Sequence, residues 1–242
     1  MQSAVSEEVA VLLLADVAPA HRLWGWLNIA RGPRALRGTS CLRFAKVLGS
    51  GFDGGFGLRP SKSRQGLFAV FSNRAAADEF ADHSALVASY RARCAELCTV
   101  KLRAWSSRGS WDGHTLSPSA EPPPTGTMAA LTRASIYLRK APDFWRYAPA
   151  AQIALESARG CQLAVGLGEA PFLRQATFSI WDDVASMDAY ARSGAHLDAI
   201  KAAHQQQYFT ESMFVRFALL GMHGIWKGRR YLIDAAALNG VE

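Results

Sequence analysis

Cysteine is scarce in this 242-residue chain, with four thiols (Cys41, Cys94, Cys98 and Cys161) and no C-x-x-C pair. A disulfide framework or a zinc ribbon needs paired cysteines, so small buried thiols in a reducing cytoplasm are the expectation. Cys94 and Cys98 lie one helical turn apart, but no second pair of soft ligands accompanies them. Long apolar runs are missing as well. The strongest near the start, residues 9–15, has seven residues against the ~20 of a bilayer-crossing helix. It follows Glu7 and Glu8, where a secretory leader carries basic residues, so the expected location is cytoplasmic. Nor is one sign of charge gathered anywhere. Lys plus Arg is 27 against 20 for Asp plus Glu, a formal +7, and the arginines are scattered. No nucleic-acid motif accompanies them, so nucleic acid is left off the expected partners. A solvated surface with some attraction for anionic membrane is the better reading.

Familiar catalytic signatures are absent too. There is no G-x-S-x-G nucleophile elbow, so a Ser-His-acid hydrolase has no support. The glycine-rich segment 49–57 follows a strand-like stretch but leads to Leu58-Arg59-Pro60-Ser61 and a further strand, with no Lys-Ser/Thr pair. A phosphate loop needs a helix there, so the glycines are read as a tight excursion that brings backbone close to a cleft. The six histidines (His21, His83, His114, His196, His204 and His223) form no zinc-type spacing. His196 and His204 are eight residues apart and share a helix face only approximately. A lone imidazole suits haem better, because the porphyrin supplies four iron ligands and the protein adds one.

What is present is apolar and duplicated. Half the residues are apolar, with seven Trp and twelve Phe, enough for a sizeable core. Phe68-Ala-Val-Phe71 and residues 73–81 match Phe178-Ser-Ile-Trp181 and residues 183–191, placing Asp78 on Asp188 and Phe80 on Tyr190. Further on, Val100-Lys101-Leu102 matches Val215-Arg216-Phe217, with Gly109, Trp111 and Gly113 falling on Gly224, Trp226 and Gly228. Each half reads strand, helix, strand, strand, helix, strand. The first half gives spans 9–17, 21–31, 42–48, 66–71, 75–94 and 99–105. The second gives 130–138, 143–157, 162–167, 175–181, 183–208 and 213–220, with Asp182 or Asp183 capping the long helix and Gly194 bending or splitting it. The expected organisation is α+β: a ferredoxin-like repeat over 1–113, a Pro-rich connector over 114–127 containing Pro122-Pro123-Pro124, and a second repeat over 128–242. Two apolar sheet faces would pack on one another as an intrachain α+β barrel, with a large ligand in the cleft inside. Arg133, alternating with Leu131 and Ser135, points inward on this pattern and calls for an anionic partner, either a ligand or an internal carboxylate. Trp181, at a strand end, reads as pocket wall or core.

Lys46-Val-Leu-Gly49-Ser-Gly51, Leu131-Thr-Arg133-Ala-Ser-Ile136, Thr177-Phe-Ser-Ile-Trp181 and Met222-His-Gly-Ile-Trp226 together resemble the spheroidene monooxygenase family of acyclic carotenoid ketolases. The likeness runs from about Leu23 to Trp226. It implies haem-containing, O2-dependent oxidation near a carotenoid end, first to hydroxyl and then to ketone. It also implies the dimeric α+β barrel group, which includes aldoxime dehydratase and haem-degrading oxygenases. Carried onto this sequence, His196 in Ala195-His-Leu-Asp-Ala-Ile200 is the axial ligand and metal residue. His223 is the reserve, in a loop after the last strand. His196, Arg133 and Trp181 are the candidate catalytic set, with His196, Arg133 and His223 as the haem-binding set. The implied partners are an apolar substrate, an electron donor such as ferredoxin and a peripheral membrane surface, with pairing between copies left open. The alternatives are another haem-barrel activity, dehydratase-like or haem-degrading, and a non-catalytic haem or lipid carrier.

Overall fold

A computed structural model describes residues 7–119, 126–170 and 172–234; the triple proline of the connector lies outside them. The first half contributes β1 (Val9–Val17), α1 (Arg22–Arg31), β2 (Leu42–Gly51), β3 (Pro60–Phe71), α2 (Arg74–His83), α3 (Ala85–Arg93) and β4 (Cys94–Gly109). The second contributes β5 (Met128–Ile136), α4 (Ala141–Glu156), β6 (Cys161–Ala170), β7 (Arg174–Trp181), α5 (Val184–Ala191), α6 (Gly194–Gln206), β8 (Phe209–Trp226) and β9 (Arg229–Asp234). The strand order is β4-β1-β3-β2-β6-β7-β5-β8-β9, and a long antiparallel β4–β8 pairing closes eight strands into a barrel. The opposite seam, β2 to β6, is short, Gly49 on Gly168 and Ser50 on Leu167. β9 is added as a hairpin on β8.

β1 reads as one unbroken apolar run because both its faces are covered. Ala10, Leu12 and Leu14 point into the barrel, while Val9, Val11 and Leu13 lie under the first-half helices. The barrel interior is not a cleft. Phe68, Phe178, Phe217, Trp111 and Trp226 fill it, each at most 1% exposed. The two inward faces carry enough aromatic volume to close on one another at native density, so ligand space must lie elsewhere.

Two helices depart from the expected spans. Residues 75–94 form α2 and α3, broken where Ser84 turns extended and its side chain accepts from the Val87 N–H, capping α3. Residues 183–208 split into α5 and α6 at Gly194, whose φ is +53°, and Asp183 is the N-cap, accepting from the Ser186 N–H. β8 continues to Trp226, so His223 sits in a strand and not in a loop.

The duplication extends to individual interactions. Asp78 on α2 pairs with Lys101 on β4, and Asp188 on α5 pairs with Arg216 on β8, both at 2.7 Å. Glu211 accepts from the Asp112 and Gly113 N–H groups, and Glu96 accepts from those of Lys227 and Gly228. Each carboxylate thereby satisfies the donors of a tight turn whose two residues both have positive φ.

Candidate functional site

Outside the barrel, each sheet carries a helical layer, and the strand registers align the two layers position by position. On β1, β3 and β2, one row across the sheet is Leu13, Leu67 and Val47. The corresponding row on β5, β7 and β6 is Thr132, Thr177 and Gly166. The next row is Val11, Ala69 and Ala45 in the first half and Ala130, Ser179 and Ala164 in the second. All six first-half side chains are buried. In the second half Thr132 is exposed and Ala130, Ala164 and Thr177 are half-buried. The second sheet thus presents a floor of small and hydroxyl residues that its helices do not fully seal, where the first presents Leu, Val and Ala under a closed roof. Replacing Leu and Leu with Thr and Thr removes apolar packing volume on β5 and β7, while the space left at Gly166 on β6 is taken by the Gly55 and Phe56 backbone.

The roof explains the difference. α6 packs on α4 and α5, with little contact to the strands, and His196 on α6 faces inward over an aromatic stack. The His196 and Tyr190 rings lie 4.5 Å apart and 27° from parallel, and Tyr190 lies 5.3 Å from Trp181. The Tyr190 hydroxyl donates to the Ala151 carbonyl of α4, and the Trp181 indole N–H donates to Ser179 Oγ at 2.9 Å. These bonds fix both rings where they would otherwise leave polar atoms unpaired. Burial pushes the His196 pKa down from its ordinary value, which favours the neutral imidazole, the form that binds a metal.

The glycine-rich segment supplies a side wall. A Cβ at Gly166 would overlap the Gly55 backbone, and the Phe56 N–H donates to Gln152 Oε1 of α4. Phe56 packs against the cluster of Met128, Leu155, Trp181 and Met187. The close backbone approach read from the glycines is present, across the outer face of β6.

Trp181 and His196 therefore share one layer, but the other candidates do not join them. Arg133 points into the barrel as its alternation required, 1% exposed, on the face of the sheet opposite to His196. Its partners are internal carboxylates. It donates to Glu211, lies 3.5 Å from Asp112 and from Glu169, and covers the Trp111 ring. Lys46 pairs with Asp112 and Glu169, and Arg174 with Glu169, so three cations and three carboxylates close that end of the barrel. Arg133 cannot reach a ligand held by His196, because the sheet stands between them. His223 is half-buried on the first-half side, where the charges of Asp82, Lys101 and Arg91 act on it. It belongs to the other helical layer. On the His196 side, Arg216 and Arg192 both pair with Asp188. The duplicated Asp78–Lys101 and Asp188–Arg216 positions were the available signal for the first.

Burial raises the Glu211 pKa, but hydrogen bonds from Gly113, Ser110, Asp112 and Arg133 outweigh it and bring the carboxyl down to about 2. A depressed carboxylate contributes stability that is complete above its ordinary 4.5 and is lost as pH falls toward 2. Acid-unfolding curves of Glu211→Gln are therefore expected to run flatter than wild type across that window, while parallel curves would deny the cluster this role.

A closed eight-stranded antiparallel barrel built from two halves of one chain, with a helical layer on each sheet, defines an intrachain dimeric α+β barrel. A crystal structure of aldoxime dehydratase superposes with a TM-score of 0.56 at 9% identity, over 90% of this chain and 83% of that one; at that identity the likeness shows the fold alone. No protein-family model matches. The spheroidene monooxygenase of Rubrivivax gelatinosus is 58% identical over 224 residues, covering 93% of this chain and 87% of its own length. That of Rhodobacter capsulatus is 36% identical over 200 residues, covering 81% and 83%. The chain belongs to the spheroidene monooxygenase family and is an enzyme of the monooxygenase class.

Proposed function

We propose that the protein is a haem-dependent monooxygenase that oxidises an acyclic carotenoid, with the haem lying between the second sheet and helices α4–α6. The observation that carries the cofactor is the unsealed floor on the His196 side, where Thr132 is exposed and Ala130, Ala164 and Thr177 are half-buried, together with one inward imidazole. Among the described residues no group of three His, Cys, Asp or Glu is gathered to hold a bare metal ion. A single histidine matches a metal that arrives with its remaining ligands. The substrate class rests on the relatives' name, spheroidene monooxygenase.

His196 is the iron ligand in this reading. Thr132, Thr177 and Ala130 form the floor, Tyr190 and Trp181 one wall, and Phe56 another. Arg216 and Arg192 are the cations on the side where propionates would need partners. When bound, haem supplies oxygen activation; the chain supplies the ligand, the orientation of the polyene and a dry site. Each hydroxylation consumes O2, two electrons and two protons, inserts one oxygen atom into a C–H bond and releases one water. A second hydroxylation at the same carbon gives a geminal diol, which loses water to the ketone. The electrons come from an external donor such as a ferredoxin.

Expression in a carotenoid-accumulating host under labelled O2 tests this. The expected products are a hydroxy- and a keto-carotenoid carrying the label. Unlabelled products, or none from protein that holds haem, would overturn the monooxygenase reading.

A further inference from the structure

A second feature lies at the start of α4, at the edge of the His196 layer. A cleft of about 460 Å³ opens there between Leu58, Leu138, Pro142, Trp145, Arg146 and Phe172. Leu138 is 77% exposed, Leu58 51% and Phe172 48%. Single exposed apolar residues are ordinary, but three gathered around one cleft form a patch that water does not favour. Trp145 holds the patch together, its indole N–H donating to the Phe172 carbonyl at 3.0 Å.

The rim is basic. Arg59 and Arg139 directly follow Leu58 and Leu138 and are exposed, and neither has a carboxylate partner among the described residues. Their guanidinium groups rest on the Phe52 and Tyr137 rings. Lys140 follows Arg139, and Asp143, the only acid in the first turn of α4, is paired with Arg146 at 3.1 Å. Protruding Leu and Phe, a tryptophan at their base and unpaired cations around them are complementary to an anionic lipid surface, with apolar side chains entering the acyl boundary and arginines at the headgroups. No helix of the described residues is long and apolar enough to cross a membrane.

We infer that this patch docks the protein on an anionic bilayer, with Leu58, Leu138 and Phe172 inserted and Arg59 and Arg139 against the lipid phosphates. The inference rests on the proposed function only for the cargo. The glycine-rich segment and α4 border both this patch and the His196 layer, so an apolar polyene dissolved in the bilayer meets the protein beside its site of oxidation.

Flotation with phosphatidylcholine vesicles, with and without phosphatidylglycerol, tests it directly. Wild type is expected to float with the anionic vesicles, less so at high salt. Leu138→Ser/Phe172→Ser is expected to lower that partition at least ~10-fold, equivalent to about 1.4 kcal/mol, with an unchanged Tm. Arg59→Glu/Arg139→Glu keeps the apolar side chains and is expected to lose the anionic preference alone. Wild type remaining in the soluble fraction overturns the inference. So does a self-associating wild type whose association, and not its lipid binding, is abolished by Leu138→Ser/Phe172→Ser. Flotation needs no haem and no turnover, so its failure is separable from failure of the oxygenase reading.

Discussion

Gly109→Ala is expected to destabilise the protein by about 4 kcal/mol, lowering Tm by roughly 8–16 °C. Gly109 has φ +79°, and a Cβ there would overlap the Ser212 carbonyl oxygen on β8. The residue sits on the β4–β8 seam that closes the barrel, so the clash cannot be relieved without parting the ladder. Gly224 is its counterpart in the duplication, with φ +122° and a Cβ that would meet the Leu97 carbonyl, and Gly224→Ala should cost a similar amount. Gly113 and Gly228 separate the two contributions. Both have positive φ, but a methyl group at either would meet nothing within 4 Å, so Ala there should cost only about 1 kcal/mol of backbone strain. Thermal melts of the four variants should fall into two pairs; equal losses across all four would show that the seam is not the source.

The second large effect is expected at His196, the proposed haem ligand. His196→Ala should reduce carotenoid oxidation by at least about 100-fold, since removal of even an outer partner of a metal ligand commonly costs 10–100-fold. Exogenous imidazole should restore part of it. His223→Ala, in the other helical layer, should leave turnover near wild type. Turnover lost in His223→Ala and kept in His196→Ala would transfer the ligand role to the reserve residue.

Much of the scaffold was legible because burial on both faces leaves a plain trace. Residues 9–17 matched β1 end to end, and the duplicated motifs placed both halves in one order. The break at Ser84 was written in the sequence as well, as a serine before Ala-Leu-Val, but the apolar spacing of Phe80, Leu86 and Tyr90 continues across it and masks the cap. β9 was missed because it opens on Arg229-Arg230 and pairs only as an added hairpin. Arg133 shows where pattern reasoning stops. Alternation gave its inward direction correctly, yet its partner Glu211 lies 78 residues away, and only closure of the barrel brings them together. The thinned floor was harder still. Thr132 and Thr177, with Gly166 covered by the Gly55 backbone beside them, look like ordinary strand residues one by one. They become informative only when the registers set them against Leu13 and Leu67 in the other half.

That contrast also supplies the most direct test of the proposed haem site. Ala130→Val/Thr132→Leu transplants onto β5 the side chains that the first half carries at Val11 and Leu13, filling the floor without touching His196. Titration of the purified apoprotein with haemin, followed by absorption, should give a saturable Soret band in wild type. The band should be absent or strongly weakened in the filled variant, whose Tm stays equal or rises. An unchanged Soret titration in a folded Ala130→Val/Thr132→Leu protein would place the cofactor outside this layer and contradict the account.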